Sequence, residues 1–177
     1  MGNDDDVVNG SMQDDHMNGG GGHDRLSGGG GRDHILGGSG DDILHGGDGM
    51  DDLRGGGDDD TMFGGAGNDR MLGDTGDDRM LGGAGADRLW GGSGMDYMWG
   101  DDSNDRLSGG NGNDFLEGGS GNDWLNGDRG NDSVSGGGGD GSDILIGGTG
   151  NDVLEADGPD TLTGAPTLTA ADFIVDG

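Results

Sequence analysis

The chain has 177 residues, 50 of them glycine and only 2 proline, with 37 acidic residues against 8 arginines, no lysine and no cysteine, for a formal net charge of -29. A hydrophobic content of 27% lies far below the roughly 45–50% of an ordinary globular domain, which excludes a conventional packed core. Scarce proline excludes collagen, the lack of cysteine excludes disulfides, and no apolar run nears the roughly 18 residues of a membrane span.

The charge also sorts partners. Nucleic acids and anionic membranes are bound by Lys and Arg that neutralise their phosphates, so neither is expected here, and cations are. The N-terminus, MGNDDDVV, lacks the basic and apolar regions of a cleavable signal peptide, so any export is expected to use another route. High charge with few aromatics is also the signature of disorder, and only regularity in the sequence argues against it.

That regularity is a nine-residue period. Rows of nine run without a break from Met1 to Ser135; after an extra Gly136-Gly137, which is expected to bulge one edge, two more rows run from Gly138 to Glu155. The sixth position is aspartate in every row: Asp6, Asp15, Asp24, Asp33, Asp42, Asp51, Asp60, Asp69, Asp78, Asp87, Asp96, Asp105, Asp114, Asp123, Asp132, Asp143 and Asp152. The eighth position is always aliphatic or Met, from Val8 and Met17 through Leu89 and Met98 to Leu145 and Leu154. Glycine dominates positions one, two and four. The unit is G-G-x-G-x-D-x-U-x, with U apolar.

Rows such as GGAGNDRML (64–72), GGNGNDFLE (109–117) and GGSGNDWLN (118–126) fit this unit without exception. On these residues the chain resembles the RTX (repeat-in-toxin) family of glycine- and aspartate-rich calcium-binding nonapeptides, over about nine tenths of its length. The resemblance implies a parallel β-roll, calcium as cofactor, and bacterial type I secretion, in which the chain leaves a calcium-poor cytosol unfolded, through a type I secretion apparatus, and folds outside the cell.

The residues point the same way without the family. Six glycine-rich residues turn tightly, and x-U-x is long enough for a very short strand whose U side chain points inward. Two rows make one turn of a flattened right-handed coil, with strands of rows n and n+2 stacked in parallel at roughly 4.8 Å. The predicted fold class is therefore all-β, a right-handed parallel β-roll of about seventeen repeats over 1–155, followed by a C-terminal cap over 156–177. One inward side chain per row does not offset the entropy of ordering so much glycine, so another source of stability is required.

The aspartates supply it. Residues eighteen apart share an edge, so Asp69, Asp87 and Asp105 stack, and columns of carboxylates at strand spacing repel unless cations lie between them. Glycine turns bring exposed carbonyls to the same edges; the candidates are those of positions two and four, Gly38 and Gly40, Gly47 and Gly49, Gly65 and Gly67, Gly83 and Gly85, Gly92 and Gly94, Gly110 and Gly112, Gly119 and Gly121. An all-oxygen site of flexible geometry suits Ca²⁺ rather than zinc or copper. The aspartates from Asp24 to Asp152 are the predicted ligands, and the inter-turn gaps leave room for roughly 15 ions, about +30 against the formal -29. As mere turn residues they would show a preference for Asp, not one at every sixth position.

Departures mark weaker sites: Met1, Asp4, Ser11 and Gln13 in the first two rows, Asp58 and Ser103 at position four, and Asp74, Asp101 and Asp128 at position two. An EF-hand is excluded, because the only glutamates, Glu117 and Glu155, have Arg106 and Ile144 where its first Asp should stand.

Outward positions are mostly polar, but rows seven to eleven carry Phe63, Leu72, Leu81, Trp90 and Trp99 at position nine. Phe63, Leu81 and Trp99 are expected to form a ladder on one face, and Leu72 with Trp90 one on the other; each strip reads either as a protein or glycan contact or as cross-strand packing. Arg70, Arg88 and Arg106 are expected to temper the acidic surface, and His16 and His34 to be neighbours able to hold a transition metal weakly. Catalytic signatures are missing, with no H-E-x-x-H, G-x-S-x-G or cysteine, so the chain is not expected to be an enzyme. The glycine spacing at Gly136, Gly138 and Gly141 matches a dinucleotide fingerprint by accident of composition.

From Ala156 the repeat breaks. Leu162, Leu168, Phe173, Ile174 and Val175 are expected to cover the end of the coil. Asp172-Phe173-Ile174-Val175 also resembles the C-terminal signal of type I substrates. Two further roles stay open: a C-terminal module of a secreted protease, lipase or alginate epimerase, or an adhesive surface-binding repeat.

Overall fold

The computed structural model describes residues 2–138, 141–156, 159–164 and 173–175. Successive strands alternate between two sheets, one of ten strands and one of nine, and every neighbouring pair is parallel. Arg88–Ser93 shows the rule: it pairs on one side with Arg70–Thr75 and on the other with Arg106–Asn111, each eighteen residues away. This is the expected β-roll, two nonapeptides to a turn and about eight turns long.

The apolar column behaves as its period requires. Strand alternation turns U inward, and the side chains from Leu26 to Leu154 are 0–1% exposed. They form two files, Leu44–Met62–Met80–Met98 against one sheet and Leu53–Met71–Leu89–Leu107 against the other, each in register with its neighbours. The outward ladders are also in register: Phe63 with Leu81 and Leu81 with Trp99 on one sheet, Leu72 with Trp90 on the other.

Three features differ from the sequence expectation. Strands are typically six residues long, not three, because the ladder continues from position seven through position nine into positions two and three of the next row. Position one lies between them on the inward side and is buried, so the inner face carries U and a glycine in turn. Second, the two extra residues do not precede row sixteen. Gly136 packs against the Asp143 carboxylate as a position-one glycine does, Gly137 has the positive φ of position two, and Gly141 meets the Gly121 carbonyl as position four does. By register the extra length therefore falls between Gly137 and Gly141, and Trp124 still pairs with Ile144.

Third, the ladder runs past Glu155. Thr161–Thr163 pairs with Ile144–Ile146, placing Leu162 beside Leu145, and Phe173–Val175 pairs with Val153–Ala156. Asp160-Thr161-Leu162-Thr163 is a D-x-U-x row with one residue deleted, eight after Asp152 instead of nine, and that deletion hid it from a strict nine-residue count. Leu168 and Asp172 lie outside the described residues.

Candidate metal centre

The sixth-position aspartates sit at the turns, where the chain passes from one sheet to the other. Those from Asp24 to Asp132 are 0–2% exposed, an unusual place for a carboxylate. One oxygen is accounted for. Oδ1 of each accepts the backbone N–H of the aspartate one turn earlier: Asp69 donates to Asp87, Asp87 to Asp105, Asp105 to Asp123, at 2.7–2.8 Å. The same bond joins Asp6 to Asp24 at one end and Asp143 to Asp160 at the other, so the column on that second edge gains a ninth aspartate.

The other oxygen has no hydrogen-bond partner. Oδ2 of Asp24, Asp33, Asp42, Asp51, Asp60, Asp69, Asp78, Asp87, Asp96, Asp105, Asp114, Asp123, Asp132 and Asp160 is buried and unsatisfied. A buried acceptor without a donor is costly, and here it recurs in every repeat from Asp24 to Asp132. Burial pushes the carboxyls of Asp60 and Asp105 up to about 8, those of Asp87, Asp96 and Asp132 to about 7, and those of Asp69, Asp78, Asp114 and Asp123 to about 6. The donated N–H of the preceding turn works against that rise, and neighbouring carboxylates add to it in most of these turns.

What lies opposite that oxygen is another acceptor. A Cβ built on Gly64 would stand 2.6 Å from Asp69 Oδ2 and 2.6 Å from the Gly82 carbonyl oxygen of the next turn; on Gly100 the distances to Asp105 Oδ2 and the Gly118 oxygen are 2.4 and 2.5 Å. Position one is therefore glycine because two oxygens converge on the space its side chain would fill. Acceptors that converge without a donor suit a cation.

Positions two and four bring further carbonyls to the edge. All fourteen glycines singled out there, from Gly38 and Gly40 to Gly119 and Gly121, have positive φ. Where the same position one turn on is also glycine, the carbonyl packs against it, Gly49 oxygen against Gly67 and Gly67 oxygen against Gly85, close enough that a Cβ would strike it at 1.5 and 2.0 Å. At Asp58, Asp74, Asp101, Ser103 and Asp128 the backbone keeps the same form, with φ of 69–89°. These departures change the side chain and leave the turn intact, whereas Asp4, Ser11 and Gln13 in the first two rows lack the positive φ.

Among the described residues no three His, Cys, Asp or Glu side chains gather into one metal-holding group. On each edge the carboxylates stand in single file, one per turn, and the other oxygens that converge beside them are main-chain carbonyls. That donor set fits Ca²⁺ and fits zinc or copper poorly. His16 and His34 are neighbours as expected, with ring centroids 5.7 Å apart, and no third such side chain completes a group there.

A second ladder escaped the sequence reading. The position-five side chain accepts the backbone N–H of position five one turn later, the reverse direction to the aspartates: Asn113 from Asn131 and Asn131 from Asn151, both at 2.8 Å. Asp41, Asp59 and Asp77 do the same on the same edge, and His23 Nδ1 accepts from Asp41 at 2.9 Å. Asn or Asp before the invariant Asp was the available signal.

Of the arginines, Arg70 pairs with Asp52 at 2.9 Å and Arg54 with Asp74, while Arg88 and Arg106 make no ion pair among the described residues. Of the three arginines expected to temper the acidic surface, one thus does so through a direct ion pair.

A parallel roll that stacks buried, unpartnered carboxylates against main-chain oxygens defines a cation-binding structural repeat. The family follows from comparison with known proteins: the model of the RTX calcium-binding nonapeptide repeat matches residues 2–26, 18–52, 36–71, 45–80, 72–107, 99–134, 108–141 and 137–165. The chain belongs to that family and is a calcium-binding repeat module. No curated protein matches it.

Proposed function

We propose that this module is disordered without calcium and folds into the roll when calcium fills the gaps between turns, outside the cell. The observation that carries the reading is the file of buried Oδ2 atoms with no partner, from Asp24 to Asp132. Each gap would be lined by an aspartate Oδ2 and the carbonyls of positions one, two and four. A bound cation neutralises the carboxylate and satisfies the converging oxygens. With Asp160 each column holds nine aspartates and eight gaps, so about sixteen ions would bring about +32 against -29.

Calcium binding is then the folding reaction, since a ligand held only by the folded state stabilises it by mass action. Such a chain suits export through a type I apparatus in calcium-poor surroundings followed by folding in calcium-rich ones. Its role there is structural, either alone or as the C-terminal module of a secreted enzyme.

Circular dichroism during a calcium titration, with magnesium as control, tests the reading. A cooperative coil-to-β transition with calcium and none with magnesium is expected. A chelated sample with full β signal and an unchanged melting temperature would overturn it.

A further inference from the structure

The nine-stranded face carries a basic, aromatic groove that calcium does not explain. Five of the eight arginines lie on its strands, Arg54, Arg70, Arg88, Arg106 and Arg129, on a chain of net charge -29. Arg70, Arg88 and Arg106 are in direct register on adjacent strands, and Trp124 follows Arg106. Like charges in register on neighbouring strands repel. Asp52 relieves the first of the three; Arg88 and Arg106 have no such partner among the described residues.

Beside them lies a hollow of about 530 Å³, lined by Trp90, Asn104, Arg106, Ser108, Asn122 and Trp124 among others. It exists because Ser108 stands in register between Trp90 and Asn126, so a small side chain interrupts an otherwise filled column. Trp90 walls one side, 39% exposed, with the Arg70 guanidinium 5.5 Å from its ring centroid. Trp124, half-buried, walls the other. Asp105 and Asp123 close the hollow toward the turns, and the nearby Asp128 carboxylate is occupied by Ser108 and Asn126.

We propose that this groove binds an acidic polysaccharide, with carboxylates on Arg88 and Arg106 and sugar faces on Trp90 and Trp124. Indole faces offer broad apolar contact to a ring, and Asn104, Asn122 and Ser108 offer amide and hydroxyl groups to its hydroxyls. The arginines present one charge per strand, roughly every 4.8 Å, close to one charge per sugar ring in an extended chain. A nucleic acid carries charge too densely for a face with so few cations.

The inference rests on the calcium reading in one respect: only ions in the turns, about +30 in all, remove the long-range repulsion of a -29 rod for a polyanion and neutralise Asp105 and Asp123. Binding is therefore confined to the calcium-loaded roll.

The test is calorimetry on the full chain in saturating calcium, with tetragalacturonate, too short to gel with calcium, as probe, cellotetraose as the uncharged control and circular dichroism on the same samples. The dichroism reports calcium-driven folding whatever the sugar does, so the two readings fail separately. Tetragalacturonate is expected to bind and to quench tryptophan fluorescence, with affinity falling at least tenfold in Arg106→Gln and in Trp124→Ala and unchanged in Arg25→Gln on the opposite sheet. Arg106→Lys, which keeps the charge, should retain most of the binding. Equal binding of cellotetraose, no binding of tetragalacturonate to the folded chain, or affinity indifferent to Arg106→Gln and Trp124→Ala would overturn the assignment.

Discussion

Asp87 holds Asp69 from one turn away: its Oδ1 accepts the Asp69 backbone N–H at 2.7 Å, while its Oδ2 is buried with no partner at all. One side chain thus fixes the turn spacing and leaves an oxygen for an ion. Asp87→Asn separates the two roles, because an amide oxygen still accepts the N–H but carries no charge. Losing a charged ligand is worth about 3 kcal/mol at most. Spread over the roughly sixteen ions taken up in folding, that raises the calcium midpoint only about 1.4-fold. In saturating calcium it lowers the melting temperature by about 6–12 °C. Both are read by circular dichroism, and an unchanged midpoint with unchanged melting would count against a ligand role for Asp87.

The position-one glycine gives a sharper test of the cradle. Gly64 has no positive φ, so alanine is allowed by the backbone there, yet its methyl group would lie 2.6 Å from both Asp69 Oδ2 and the Gly82 oxygen. Gly64→Ala should cost about 1–3 kcal/mol in calcium and bind fewer ions by calorimetry. Gly57→Ala is the control, since the nearest atom to its added methyl is Thr75 Oγ1 at 3.6 Å. That variant should stay within about 0.5 kcal/mol of the parent. Equal behaviour of the two would place the ion elsewhere.

In the proposed reading protons compete with calcium for the same oxygens, and the sign follows from burial. Burial raises the carboxyls of Asp69, Asp87 and Asp105 to about 6, 7 and 8, above the usual value of 3.8, so the folded metal-free chain binds more protons than the unfolded one between those limits. Their contribution to metal-free stability is full below about 3.8 and is lost as pH rises through 6 to 8. A metal-stripped sample should therefore gain β signal as pH falls from 8 toward 4. Dichroism that stays flat across that range would contradict the burial of these carboxylates.

The two features read most securely from the sequence, Asp at six and U at eight, are those whose side chains occupy the interior once per turn, where nothing else fits. Position one looks like a plain turn glycine because one of the two oxygens that crowd it, that of Gly82 against Gly64, belongs to another turn eighteen residues away, which no local pattern shows. Strand length was underestimated for a related reason: Gly-Gly-x has low strand propensity, and only the stacked neighbours make it a strand. The place of the inserted residues was ambiguous in a run of four glycines, where composition carries no register. Asp160 was lost to a single deletion in a strict count, although D-T-L-T has the form of the rows before it. The other oxygens that converge on the edge are main-chain carbonyls, whose positions depend on φ and not on side-chain identity, as Asp74, Asp101 and Asp128 at position two show.

The position-five ladder bears on how the turns hold together when an ion is lost. Asn131 accepts from Asn151 and donates its own N–H to Asn113, so it links three successive turns on one edge. The aspartate ladder runs through the same turns in the opposite sense, with Asp114 donating to Asp132 and Asp132 to Asp152. Asn131→Ala removes the acceptor of the Asn151 N–H at an exposed site where water can replace it. The expected cost is about 0.5–1.5 kcal/mol, with ion number unchanged by calorimetry because the side chain is not among the converging oxygens. Amide hydrogen exchange locates the effect: faster exchange confined to Asn151 and its turn is expected. Loss of an ion in Asn131→Ala would move this side chain into the metal centre and require a ligand set with more side chains than the aspartate file alone.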